Sequence, residues 1–296
     1  MLYFITCSAI WGLTWIAIKF QFNAVDSNVA VFYRFILASL LLFAFAFMKK
    51  IPLRFNRAAH LHFAAQGFFM FCINYLLTYW ASHLAPSALV ALAFTSLIYF
   101  NMIGGKIFMR IPIEKKVLVG ALVSFAGMAF ISLNEMRSID LYPTSFAGFF
   151  ISLIATISAS AGNLISIRNR KNHIPITANN AWGMLYGCAF TLIYCLTMQK
   201  SFVLHHIDTA FVLSFFYLTV FGTVISFGAY LKLMELYGPS KAAFTSVVSP
   251  VIAISVSVIF ENLPMTTLLS SGVALCLAGN LIALVKLDSL KARYAN

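Results

Sequence analysis

The stretch PSALVALAFTSL, Pro86 to Leu97, shares the letters AFTS with Ala243–Ser246, which again follow shortly after a Pro-Ser pair. The four letters align at an offset of 150, but Pro86-Ser87 and Pro239-Ser240 align at 153. The second register starts both helices together and also pairs Ser96 with Ser249. Further on, Pro112 matches Pro264, Gly120 matches Gly272 and Gly127 matches Gly279, all at 152, so one residue is lost between the two helices of each copy. Glycines seven apart share one helix face. These ordered landmarks predict an internal duplication, with the AFTS identity a coincidence of letters.

Composition says where such a doubled chain lives. Of 296 residues, 61% are hydrophobic and 9% charged, against roughly 25% charged in a soluble domain. Apolar runs of about 20 residues recur throughout, the length that crosses a bilayer as a helix. They predict spans near 3–22, 29–48, 63–82, 87–107, 115–133, 145–167, 178–198, 210–231, 240–260 and 267–286. The fold class is all-α integral membrane. The first run reads as a retained span, since Trp11, Trp15 and Lys19 interrupt it and no basic leader precedes it. The five cysteines all fall within spans and read as small apolar filler rather than a disulfide framework.

The formal net charge of +12 is explained by topology. With the N-terminus in the cytoplasm, the even-numbered connections and the C-terminal tail hold 16 of the 20 basic residues, leaving Lys19, Arg34, Arg137 and Lys200 for the other side. That is the positive-inside bias, and it leaves nothing to suggest nucleic acid as a partner. Both termini are expected in the cytoplasm, with the bilayer and a small-molecule substrate as partners. Oligomeric state, monomeric or otherwise, is left open.

Each copy holds five spans, 1–134 and 145–286, followed by a tail at 287–296. Five is odd, so the second copy enters the membrane inverted, the architecture of secondary transporters with a site at the repeat interface. The segments SAIWGLTWIAIKF, YRF, APSALVALAFTSLIYFNMIGGKIF, GPSKAAFTSVVSPVIAISVSVIFENLP and GVALCLAGNLIAL resemble the EamA-type branch of the drug/metabolite transporter superfamily over essentially the whole chain. The resemblance implies a ten-span carrier of the bacterial inner membrane that exports small metabolites, amino acids prominent among them, with aromatic amino acid exporters of the YddG type as one branch. In that family the fourth span of each half usually ends in a Leu-Gly-Glu-like corner. Here the second copy keeps Glu261 within Phe260-Glu261-Asn262, and the first has Phe108-Met109-Arg110.

Candidate binding residues follow from charge and side-chain chemistry inside the spans. All eight acidic residues sit at span ends or in connections, so no carboxylate is expected at mid-membrane to relay protons. Lys19 and Arg34 lie near the outer ends of spans 1 and 2, placed either to anchor at the interface or to attract a substrate carboxylate. Trp11, Trp15 and Lys19 repeat every four residues, as do Tyr75 and Tyr79, and Thr95 and Tyr99, each pair sharing a helix face. Tyr and Trp offer an apolar surface with one polar handle. Asn74, Asn101 and Asn163 can bond an amino or carboxylate group, or another helix. Pro250, the only proline expected inside a span, frees the carbonyl of Ser246 and makes a hinge beside Ser249.

No metal, cofactor or catalytic motif is expected. His60 and His62, and His205 and His206 with Asp208, flank the membrane without a supporting ligand set. The expected function is a secondary carrier, not an enzyme, exporting small organic metabolites by alternating access, foremost neutral and aromatic amino acids. Nucleobase-, purine- or cofactor-like compounds and drugs are the alternative cargo. An intramembrane enzyme would need a catalytic cluster that the sequence lacks.

Overall fold

The computed structural model describes residues 2–22, 24–110, 115–137, 144–205, 207–230, 232–233 and 245–284. Within them the chain forms ten helices: α1 Leu2–Lys19, α2 Ser27–Met48, α3 Arg57–Leu84, α4 Ser87–Met109, α5 Lys115–Arg137, α6 Ser145–Lys171, α7 Ile176–Thr197, α8 Thr209–Tyr230, α9 Thr245–Phe260 and α10 Thr267–Leu284. Six of them are long and apolar enough to cross a membrane. Large apolar side chains such as Leu40, Trp80, Leu122, Ile154 and Leu213 stand exposed on the outside, as a hydrocarbon solvent requires. The fold is that of an all-α membrane protein. Pro239-Ser240, Pro112, the side chain of Ser246 and the tail 287–296 lie outside the described residues.

α7 is less apolar because its polar groups face inward. Asn179 accepts from Asn169 Nδ2 at 2.8 Å and donates to Ser166 Oγ at 3.2 Å, while Gln66 Nε2 reaches Asn180 at 3.5 Å. Buried polar side chains satisfied across helices are the usual glue where the solvent gives no hydrophobic drive.

The two halves match in detail. α2 and α7 are both 22 residues long, and each ends with a left-handed residue, Lys50 (φ 53°) and Gln199 (φ 50°). Beyond these, Ile51 N–H donates to Ala46 C=O and Lys200 N–H to Cys195 C=O, both at 2.9 Å, the same capping bond twice. α3 and α8 are both N-capped by a side-chain oxygen, Asn56 taking Ala59 N–H and Asp208 taking Phe211 N–H. Both then widen into π-helical turns, at Gly67–Ile73 and Tyr217–Ile225. α4 and α9 end alike, at Arg110 (φ 56°) and Asn262 (φ 52°).

The packing is reciprocal as well. α1 lies on α9 and α4 on α6; α1 on α8 and α3 on α6; α2 on α8 and α3 on α7. The pairs α2–α7, α4–α9 and α5–α10 close on themselves. Exchanging the halves maps this set onto itself, the property of a two-fold relation.

The α5–α10 seam gives the direction of the axis. A Cβ on Gly127 would lie 2.6 Å from Gly272 O, one on Gly272 2.8 Å from Gly127 O, and Gly279 sits against Gly120. Numbers rise along α5 as they fall along α10, so these equivalent helices run antiparallel. At the centre, Ser124 Oγ donates to Cys276 C=O at 3.1 Å and Cys276 Sγ to Ser124 C=O at 3.5 Å. Ser124 and Cys276 are themselves equivalent at the 152 offset. The two-fold therefore passes between them, across the helices rather than along them, and the repeat is inverted.

Candidate functional site

A cavity of about 180 Å³ opens between the halves, walled by α1–α4 of the first and α6, α8 and α9 of the second. It has room for on the order of a dozen waters, or a small metabolite displacing them. Its surface is mainly aromatic and aliphatic, with a few polar groups, the make-up of a small-molecule site.

One wall is built on α1. Trp11 donates through Nε1 to Gly222 C=O at 3.2 Å and packs on Phe227 and Tyr230 with ring centroids 5.7 and 5.1 Å away. One turn on, Trp15 packs on Phe94 at 4.8 Å. The wall also carries Arg34, only 2% exposed. Its Nε donates to Thr223 Oγ1 at 3.1 Å, and its guanidinium carbon lies 5.0 Å from the Tyr75 ring centroid and 5.5 Å from that of Phe35. Among the described residues, Arg34 is the one charged residue in the cavity wall, and the two ion pairs involve other groups.

Both π-helical turns border this space. In α8 the widened turn lets Thr223 Oγ1 donate to Leu218 C=O at 2.9 Å while accepting from Arg34, and it presents Gly222 C=O to Trp11. In α3 it ends at Asn74, whose Nδ2 donates to Met70 C=O at 3.2 Å. Such turns recur at functional sites because they re-aim side chains. α4 breaks at the same level: Thr95 and Ser96 close tight turns to Leu92 and Ala93 with N–H at 3.0 and 3.1 Å, and their hydroxyls donate to the same carbonyls at 2.7 and 2.6 Å. Its counterpart α9 carries Pro250 inside the helix.

Three buried polar atoms on cavity-lining residues have no hydrogen-bond partner among the described residues: Arg34 Nη1, Trp15 Nε1 and Asn74 Oδ1. Two are donors and one is an acceptor. Unpaired buried polar groups cost about 1–3 kcal/mol each, so a polar guest would relieve them.

Beyond Ile18 and Ala91 the cavity ends in a polar clasp. Lys19, last in α1, pairs with Glu261 at 2.5 Å. Glu261 also accepts from Ser87 N–H, at the start of α4, at 3.0 Å and from the Ser87 and Ser257 hydroxyls. A carboxylate on a helix N-terminus meets free N–H groups and the positive end of the dipole. Burial opposes ionisation of Glu261, but Lys19, Ser257 and Ser87 outweigh it and hold the carboxyl below the usual range. Three helices of two halves are tied at one point.

Of the residues expected at the site, Trp11, Trp15, Arg34, Asn74, Tyr75, Thr95, Asn163, Ser249 and Pro250 line the cavity. Others serve elsewhere. Tyr79, completely buried, donates to Gln21 Oε1 at 2.7 Å, one turn beyond the wall. Tyr99 donates to Gly120 C=O at 3.2 Å and meets Ser124 Oγ at 2.8 Å, bracing the α5–α10 seam instead of a guest. Asn101 is also outside the lining set. Lys19 is neither a lone interfacial anchor nor in the wall, because Glu261 neutralises it. Met70, Phe227, Tyr230 and Thr245 are among the further wall residues that the sequence did not single out. Tyr230, five residues after the π-helical turn ends at Ile225, carries no local signal, while Thr245 lay in the AFTS letters themselves.

Comparison with known proteins bears on the whole chain. The sequence pattern of the EamA-like transporter family matches residues 1–133 and again 146–285. Similar chains include an uncharacterized transporter of Buchnera aphidicola subsp. Schizaphis graminum, 22% identical over 86% of this chain and 83% of its own length. The uncharacterized transporter YoaV of Bacillus subtilis is 24% identical over 86% of both chains. The uncharacterized inner membrane transporter YedA of Escherichia coli K12 is 26% identical over 83% of this chain and 77% of its own. A solved crystal structure superposes with a TM-score of 0.70 at 17% identity, covering 98% of each chain. At that identity the likeness speaks for the fold.

Proposed function

The chain belongs to the EamA-like transporter family and is a multi-pass membrane transporter, and from that premise we propose that it exports small organic metabolites, neutral and aromatic amino acids foremost. The observation that carries the proposal is the cavity between the inverted halves, with Trp11, Trp15, Phe94 and Tyr75 for an apolar side chain and Arg34 and Asn74 for its polar end. The membrane is the bacterial inner membrane, with both termini in the cytoplasm, a setting that the basic bias of the connections supports.

In that orientation the Lys19–Glu261–Ser87 clasp closes the outer end of the cavity. Substrate enters from the cytoplasm and fills the space between the halves. Binding then shifts the balance toward a second conformation in which the clasp is parted and the cytoplasmic ends have closed. Inversion makes the two gates counterparts, so one rocking motion exchanges their states. That no carboxylate stands among the described residues of the wall favours movement down the substrate gradient over proton exchange through the cavity.

The test is efflux from cells. Expression is expected to raise resistance to toxic analogues of neutral and aromatic amino acids and to speed release of the labelled parents. Unchanged resistance and efflux across a broad panel would contradict amino acids as the cargo.

A further inference from the structure

Arg34 poses an electrostatic problem that the described side chains around it do not solve. The side chain is 2% exposed, and Nη1 has no hydrogen-bond partner among the described residues. Its compensation comes from neutral groups alone, the hydroxyls of Thr223 and Tyr79 and the faces of Tyr75 and Phe35. Among the described residues no carboxylate pairs with it, and the cavity wall contains no Asp or Glu. A buried charge without a counter-ion is costly, and one opposite charge beside it recovers much of that cost. The wall offers the reverse nothing: an ammonium group would meet only neutral acceptors, of which Asn74 Oδ1 is unpartnered.

We propose that the cavity recognises its guest through a single carboxylate placed on Arg34, with an apolar or aromatic body against Trp11, Trp15 and Phe94, and that an α-amino group is tolerated but not required. The substrate class is the small monocarboxylate, which includes 2-hydroxy acids as well as amino acids. A monoanion brings the site to neutrality, whereas a zwitterion leaves it with the charge it began with. Phosphate-bearing compounds are disfavoured because a dianion would find one cation. This inference rests on the carrier reading above but makes a separate demand on binding.

Two of the chain's tryptophans line the cavity, so their fluorescence reports occupancy of the purified full-length protein. Three compounds of one shape separate the groups: 3-phenyllactate has the carboxylate and no amine, phenylalanine has both, and phenylalaninamide has the amine and no carboxylate. Phenyllactate is expected to bind at least as tightly as phenylalanine, and the amide about 10- to 100-fold more weakly, the worth of a charge-assisted contact. Arg34→Gln should erase the preference for the acids, and Arg34→Lys should keep part of it. Equal binding of amide and acid in the unaltered protein overturns the proposal without any need for a variant. So does a preference that survives Arg34→Gln, or no binding of either acid at millimolar concentration. Binding of the acids without any amino acid flux in liposomes would leave the assignment of Arg34 standing and sink amino acid export instead.

Discussion

At Glu261 a single carboxylate holds three helix ends, so its substitution should be felt at the clasp before anywhere else. Glu261→Gln leaves Lys19 half-buried without a counter-charge, and removing one partner of a partly exposed pair weakens the closed state by about 1–2 kcal/mol. In an Ile18→Cys background, labelling by a membrane-impermeant maleimide should speed up roughly ten-fold when Glu261→Gln is added. An unchanged rate would mean that the clasp does not set access. The sign of the pH effect follows from the lowered carboxyl. Because the folded value lies below the ordinary one, the pair's contribution is complete above about pH 5 and is lost only as acid carries the pH down through the folded value. Asp26 behaves alike: burial opposes its charge, yet the Asn28 N–H and Lys200, 3.2 Å away, hold its carboxyl low. Labelling of Ile18→Cys, taken as a ratio to an exposed control cysteine so that the fall of thiolate with pH cancels, should therefore be flat from neutrality to about pH 5 and rise below it. Trp11, Trp15 and Arg34, picked out in the sequence by their chemistry, lie on the cavity wall. Tyr99 and Tyr79 lie off it, because spacing shows which face a side chain occupies but not what that face meets. Trp15→Ala should accordingly weaken transport, while Tyr99→Phe should leave substrate affinity alone and cost about 0.5–1.5 kcal/mol of stability, read by thermal melting.

Helices α4 and α9 carry the interruption that a moving carrier needs, by different means. In α4 the Thr95 and Ser96 hydroxyls compete with the backbone for Leu92 and Ala93. In α9, Pro250 removes one rung of the ladder. The prolyl break was legible from one letter, and the hydroxyl break was not, since Thr and Ser also occur in unbroken membrane helices. The π-helical turns of α3 and α8 left no trace in the apolar pattern either, although Gly67 and Gly222 sit within them. If the bend in α9 is a hinge, Pro250→Ala should slow turnover several-fold while tryptophan quenching by substrate stays the same. Equal turnover in the two proteins would reduce Pro250 to a packing feature.

The whole molecule is organised by a two-fold that is partly legible in the sequence. Glycine pairs at a 152 offset announced the duplication. The antiparallel seam they form, with Ser124 against Cys276, could not be read until the helices were placed. Ser124→Cys should form an oxidative cross-link with Cys276 within one chain, and no cross-link should form when Cys276 is replaced by Ser. Ready cross-linking of Ser124→Cys in the absence of Cys276 would put the seam elsewhere. The cavity inherits its position from that symmetry, because the helices around it come from both halves and their two ends are counterparts.

Counterflow in liposomes reaches the central claim most directly. Vesicles holding the purified protein and loaded with unlabelled phenylalanine are expected to accumulate external labelled phenylalanine transiently, and vesicles bearing Trp15→Ala or Arg34→Gln to do so far less. No accumulation with phenylalanine or any other neutral amino acid, or accumulation that both variants leave untouched, would contradict a carrier whose substrate sits between its halves.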